Sequence, residues 1–297
     1  MRIGAVFPTC EIGNDPIAIR DFAQTAEELG YAHLLVYDHV LGAEHARREP
    51  RLTGPYTEKD PFHEPFVLYG YLAGLTSRIE LATGVLVLPQ RQTALVAKQA
   101  AELALLSGGR FRLGVGIGWN PVEYEALGVP FEGRGTRIEA QVRLLRRLWS
   151  EPVLDHRDPY HRIDCAGILP RPAQPIPIWF GGLSRPAVRR AARLGDGFVF
   201  GSSQGSMLEL ARELGEELAA QGRSPAAFGM ETIVSLAAGP EAWRRDLAAW
   251  RAAGATHLSM RAMSTGTRLL GEPDPGLVGA RQHIEALERF MRGIAEG

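Results

Sequence analysis

IPIWFGGLSRPAVRRAARLGDGFVFG, residues 176–201, holds one complete structural unit in a short span. The apolar run from Ile176 to Gly182 is followed by a helical stretch, Pro186 to Leu194, and then by a second apolar run from Asp196. Two strands joined through a helix run parallel, since only antiparallel neighbours can be joined by a tight turn. Working outward, the same alternation fills the chain. Strand-like runs begin at Arg2 (RIGAVFP), His33 (HLLVYDHV), Ile79 (IELATGVLVLP) and Phe111 (FRLGVGIGW) on one side, and at Phe228 (FGMETIVSLA) and His257 (HLSMRAM) on the other. With the two quoted, that makes eight. Their Val, Ile and Leu content suits parallel strands buried on both faces. Eight strand–helix units point to an α/β fold, a (β/α)8 TIM barrel occupying residues 1–297 as one domain. An open, doubly wound sheet would need a reversal of strand order that sequence does not display.

The helices carry their own punctuation. Asp15-Pro16 reads as an N-cap followed by proline in the first turn, Ile19, Phe22, Ala23 and Ala26 form one apolar stripe, and Gly30 supplies a stop. The segments Thr136–Trp149 and Met207–Leu218 carry similar stripes, which read as core faces. Two connections exceed a simple crossover. Residues 41–62, after strand two, are polar and proline-rich; residues 150–174, between strands four and five, suggest a short hairpin from Tyr160 to Leu169. Only the first is expected at the mouth of the barrel, where active sites of this fold lie.

Composition narrows the partners. The chain is 45% hydrophobic and 23% charged with a net charge of -1, which gives no electrostatic reason to expect nucleic acid or an anionic membrane. The N-terminus lacks a signal-peptide pattern and no apolar run reaches membrane-spanning length, so a cytoplasmic protein is expected. Cys10 and Cys165 form no CxxC pair, which argues against a disulfide framework and a structural zinc site. Only Lys59 and Lys98 are lysines, and neither falls at a strand end, so Schiff-base chemistry is not expected. The eight histidines read as scattered singly, without metal-ligand spacing, and no metal is expected. No nucleophile elbow occurs, and the glycines of GVGIG, residues 114–118, fall within a strand rather than in a nucleotide-binding turn.

What remains lies at strand ends. Gly181-Gly182-Leu183-Ser184 precedes a helix, whose free N–H groups suit a phosphate; a plain capped turn with Ser184 as N-cap fits equally well. Gly201-Ser202-Ser203 could add donors beside it. Thr83-Gly84-Val85 interrupts strand three, as a bulge or close backbone approach would. Asp38-His39 closes strand two: alone it reads as a satisfied polar pair, while its position suits a proton-handling histidine. His63 reads as a helix cap, His257 as the start of a strand on the stability face, and Cys10 as a small buried filler.

AEELGY, YDHV, TGVLVLP, GGRFRLGVGIGWNPVEYEALG, PIWFGG and RRAARLGDGF occur in this order over nearly the whole chain, and so arranged they resemble the luciferase-like monooxygenase family. The likeness is greatest to its branch dependent on the deazaflavin coenzyme F420. It implies a (β/α)8 barrel with Asp38 and His39 beside the reactive ring as catalytic and cofactor-contacting residues. It also implies a cis Gly84-Val85 bond, with Thr83, pressed against the ring. Gly116, Gly118 and Trp119 would flank the ring, and Gly181, Gly182, Ser184, Gly201 and Ser202 would take the phosphate. Some deazaflavin relatives have a glutamate in place of Trp119, which counts against a glucose-6-phosphate-type dehydrogenase. The resemblance thus implies F420-dependent hydride transfer with a small organic substrate. Its alternatives are an FMN-dependent monooxygenase served by a separate reductase, and a non-catalytic flavin-binding barrel. A homodimer is a further implication, and substrate choice is expected to lie in residues 41–62 and 264–276.

Overall fold

A computed structural model describes residues 1–295. Its central sheet contains β1 (Arg2–Val6), β2 (His33–Val36), β3 (Glu80–Thr83), β4 (Leu86–Val87) and β5 (Phe111–Gly116), then β8 (Ile178–Gly182), β9 (Gly197–Phe200), β10 (Gly229–Ser235) and β11 (His257–Arg261). β3 and β4 are two halves of one interrupted strand, and both pair with β5. The order β3-β2-β1-β11-β10-β9-β8-β5, together with the β3–β5 pairing, closes an all-parallel barrel of eight strands. Every sequence-derived strand is present. The second is shorter than HLLVYDHV suggests, because Tyr37 onward leaves the ladder.

Side chains alternate along the strands between two cores. Val6, Leu35, Ala82, Val199 and Ile233 fill the barrel, whereas their neighbours Ala5, Leu34, Leu81, Phe198 and Val234 face the helices. Trp179 also enters the barrel, where a Cβ on Gly197 or Gly229 would overlap its indole.

The helices on the outer face are α1 (Pro16–Glu28), α2 (Pro65–Ala73), α3 (Thr93–Leu106), α4 (Pro121–Ala126), α5 (Arg134–Ser150), α6 (Arg185–Leu194), α7 (Gly205–Ala220), α8 (Pro240–Ala252) and α10 (Gly279–Ala295), with a short α9 (Thr267–Leu270) in the tail. Asp15 caps α1 through Ile17 N, and Gly30 follows with φ +83, as the local residues indicate. α2 corrects one expectation: Glu64, not His63, caps it by accepting from Val67 N, while His63 Nε2 lies near Gly13 O.

The long connections also differ in detail. Residues 41–62 are irregular apart from a turn of 3-10 helix at His45–Arg47. The hairpin between strands four and five is β6 (Leu154–Arg157) paired with β7 (Arg162–Ala166), so it begins earlier than expected. Asp158 explains the shift: its carboxylate accepts from Tyr160 N and His161 N, which makes residues 158–161 the turn rather than part of a strand. Among the described residues no helix is long and apolar enough to cross a membrane.

Candidate active site

Strands that run parallel deliver all their carboxyl ends to one face. There a cavity of about 380 Å3 opens among Asp38, His39, Gly84, Val85, Gly118, Trp119, Gly181, Gly182 and Gly201. These are nine of the sequence-derived site residues. The other four, Thr83, Gly116, Ser184 and Ser202, do not line it, and Ser184 is exposed. A wider groove of about 730 Å3 runs over Arg91 and the start of α3, and none of the thirteen lines it.

The Gly84-Val85 peptide bond is cis. Around it the packing is close. A Cβ on Gly116 would overlap Val85 Cγ2, one on Gly181 would come within 2.6 Å of Val85 Cγ1, and one on Gly84 would overlap Leu35. Thr83 clamps the interruption from below, donating its hydroxyl to Gly114 O (2.7 Å) and accepting from Gly114 N (2.9 Å). Gly118 corrects the reading of GVGIG: β5 ends at Gly116, and Gly118 adopts φ +62 beyond it, facing Val87.

Asp38 and His39 are adjacent in sequence but do different work. Asp38 is buried, and its Oδ2 accepts from Val87 N at 2.8 Å while Oδ1 accepts from Arg91 Nη2 at 2.7 Å. Burial raises the pKa of this carboxyl and Arg91 opposes that rise. Asp38 therefore ties the second half of the broken strand, and the loop after it, to the end of β2. His39 is held at its other edge: Nδ1 lies 2.9 Å from Glu123 Oε2. Tyr56, Phe62 and Trp119 enclose the imidazole at centroid distances of 4.8, 4.9 and 5.7 Å.

The 41–62 connection supplies part of this wall, as its position after strand two implies. Gly54 packs on Trp119 so closely that a Cβ there would overlap the indole, and Thr53, Pro55 and Tyr56 line the cavity. From the tail come Thr265, Gly266 and Leu270. Arg261, at the end of β11, is buried and paired with Glu272 of the same tail. Burial pushes the phenols of Tyr37 and Tyr56 above their ordinary range, so both stay neutral. Burial likewise pushes the Cys10 thiol up, in keeping with a filler rather than a nucleophile.

At the opposite wall, Ser184 occupies the N-cap position of α6 but makes no capping bond there. α7, which begins just after β9, also starts without a side-chain cap. Two helix starts without a side-chain cap thus follow the Gly181-Gly182 and Gly201 turns in the chain, and free N–H groups at a helix start suit an anion such as a phosphate. A Cβ at Gly182 or Gly201 would lie 2.9 Å from Ala187 or Leu183, so these turns stay open only because they carry no side chain. Ser202 is buried, and its carbonyl accepts from the Thr232 hydroxyl. An apolar slot beside a bulged strand and a glycine cradle at helix starts fits a flat ring with a phosphate-bearing tail.

Sequence reading pointed to residues 41–62 and 264–276 without singling out any residue in them, and it missed Glu123, which nothing local marks because its role comes from a distant partner, His39. It also took the histidines as single. His156 Nε2 and His161 Nδ1 in fact converge on Asp158 Oδ2, at 2.8 and 2.9 Å. Arg147 Nη1 donates to His156 Nδ1 (3.0 Å) and Thr93 Oγ1 meets His161 Nε2 (2.7 Å). All four ring nitrogens therefore have protein partners, and the cluster fastens the hairpin to α3 and α5.

A parallel barrel with an apolar, glycine-walled cavity at its carboxyl face defines a class of barrels suited to binding a small molecule. Residues 1–289 match the luciferase-like monooxygenase family, and the chain belongs to it. An uncharacterized protein of Mycobacterium bovis is 37% identical over 191 residues, covering 63% of this chain and 66% of its own length. An F420-dependent glucose-6-phosphate dehydrogenase of Kineococcus radiotolerans is 33% identical over 218 residues, covering 70% of this chain and 60% of that one. The chain thus aligns with less than two thirds of the length of either relative. Among solved structures, an F420-dependent secondary alcohol dehydrogenase superposes with a TM-score of 0.74 at 16% identity, over 99% of this chain and 98% of that one. At that identity the likeness speaks for the fold.

Proposed function

We propose that this protein transfers hydride between the deazaflavin coenzyme F420 and a small organic substrate bearing a hydroxyl or carbonyl oxygen, with His39 as the proton partner of that oxygen. The observation that carries the reading is the placement of His39. Its Nδ1 is occupied by Glu123, Nε2 has no protein partner among the described residues, and the ring lines the cavity close to the Gly84-Val85 bulge. The choice of F420 draws on relatives described as F420-dependent that are 30–33% identical.

Bound in the slot, a deazaflavin supplies the hydride donor or acceptor. The chain's own part is to hold and desolvate. Val85 presses on one side of the slot, and Gly118 with Trp119 closes another. Gly181, Gly182 and Gly201 leave room for the phosphate, to which Ser184 and Ser202 belong as neighbours. His39 Nε2 takes the hydroxyl proton on oxidation and returns it on reduction. Asp38 keeps His39 and the bulge in register through Val87 and Arg91. Apolar walls at Val85, Leu183, Val199 and Ile233 keep water from the reacting centre.

Fluorescence titration of the purified protein with F420 and with FMN tests the coenzyme. We expect saturable F420 binding and F420 reduction by a panel of small alcohols. Tight binding of FMN alone would overturn the proposal. In His39→Ala, turnover is expected to fall by about 10^2–10^4, with F420 affinity changed less than roughly tenfold, or about 1.4 kcal/mol.

A further inference from the structure

We infer that Glu123 is the positioning residue of this site: it sets the tautomer of His39 and ties that tautomer to the seating of the loop over the cavity. The inference rests on the proposed role of His39 for its functional meaning, and on geometry for everything else.

Glu123 lies in α4, buried to 1% exposure, and both of its carboxylate oxygens are engaged. Oε2 is 2.9 Å from His39 Nδ1. Oε1 accepts from Val40 N at 2.6 Å and from Leu41 N at 3.3 Å. An ionised carboxylate only accepts, so the hydrogen of a neutral imidazole must sit on Nδ1, and Nε2 presents its lone pair to the cavity. The other groups around the ring are Tyr56, Phe62 and Trp119, which meet it edge-on or tilted. Among the described residues no other hydrogen bond reaches either nitrogen, so Glu123 alone decides between tautomers.

The same carboxylate holds the start of the loop. Val40 and Leu41 lead into residues 41–62, which place Gly54 on Trp119 and Tyr56 on His39. Glu123 itself is fixed from elsewhere. Asn120 caps α4 through Val122 N at 3.0 Å, and the Tyr124 hydroxyl donates to Ile117 O at 2.7 Å. A rigid carboxylate anchored to the end of β5 therefore joins the imidazole and the loop. Moving the loop away breaks two of its three bonds and loosens the third.

The test reads the tautomer directly. Long-range 15N–1H spectra of 15N-histidine-labelled, coenzyme-free protein are recorded above about pH 8, where an ordinary imidazole is neutral. The His39 signals are assigned by their loss in His39→Gln. We expect the hydrogen on Nδ1 in the wild type. In Glu123→Gln the amide oxygen keeps Val40 N and Leu41 N, and the amide NH2 is turned toward Nδ1. The hydrogen should then move to Nε2, with turnover reduced by about 10^2 or more, the general acid–base contribution. A wild-type hydrogen on Nε2 would overturn the inference, as would a Glu123→Gln protein that melts lower yet retains the wild-type tautomer. The wild-type spectrum decides the first point even if the variant does not fold. Since the spectra need no coenzyme, failure of the F420 proposal is read separately, in the titration.

Discussion

At the scale of single residues, Asp38 and His39 show how two neighbours divide their labour. The pair was legible as a candidate site from its place at the end of strand two. Its division was not, because the deciding partners lie far along the chain: Val87 is 49 residues from Asp38, Arg91 is 53 from it, and Glu123 is 84 from His39. Asp38→Asn should accordingly act first on stability. The fork to Arg91 is lost and a mostly buried guanidinium keeps only Glu64 as counter-charge. Breaking a buried pair of this kind costs about 3 kcal/mol. Equilibrium denaturation should show that loss, and the coenzyme affinity should fall with it through Val87. An Asp38→Asn protein of unchanged stability would contradict the role assigned here.

At the scale of elements, the interrupted third strand and the loop over the cavity are the two parts that make a site out of a barrel. The interruption was visible as Gly84 within an apolar run. What it packs against was not, for Gly116 and Gly181 come from other strands. Gly116→Ala should push Val85 from its seat, at about 1–3 kcal/mol for overpacking, and weaken coenzyme binding by roughly tenfold or more. Calorimetry and fluorescence titration would measure both effects. Gly54→Ala probes the loop instead. The added methyl must move either the loop or Trp119, so KM for substrate should rise several-fold, on the order of 1 kcal/mol, while the melting temperature changes little. The β6–β7 hairpin is different again: its shift by several residues followed from the Asp158 turn, a side-chain-to-backbone contact that periodicity does not encode.

At the scale of the molecule, the amino ends of the strands hold a buried charge layer on the face away from the site. Arg112 lies between Glu80 Oε1 and Glu231 Oε2, both at 2.7 Å, and His33 and Ser259 complete the bonds to Glu231. Arg112 also stacks on Trp179 at 4.0 Å. Burial and the neighbouring Arg112 lower the pKa of His257, also at this end, from 6.5 to about 3. The unfolded chain therefore binds a proton that the folded one refuses between those values. The stabilisation is complete above pH 6.5 and is lost as pH falls toward about 3. His33 and Arg112 hold Glu231 well below its ordinary range despite its burial, so the stability this carboxylate contributes is also lost as pH falls below about 4.5, in the same direction. His257→Asn should flatten the decline in melting temperature between pH 6.5 and 4. An unchanged slope would show that His257 titrates normally in the fold. Glu231→Gln, which leaves Arg112 with one carboxylate, should cost about 3–5 kcal/mol at neutral pH, measured by denaturant unfolding.

The barrel itself was determined by the sequence. Strand and helix periods are local properties, and eight alternating runs leave few ways to bury both faces of every strand. The glycines at the carboxyl ends were legible for the same reason, since each stands at the close of its own strand. Only the tertiary structure decided which groups share a carboxylate and that the loop after strand two rests on Trp119. Closure of the barrel brings β3 against β5 and the end of β2 against α4, and a contact across such a distance leaves no periodicity in the chain. The histidine could be found by reading along the sequence; the nitrogen it offers to the cavity was set by Glu123, across the barrel mouth.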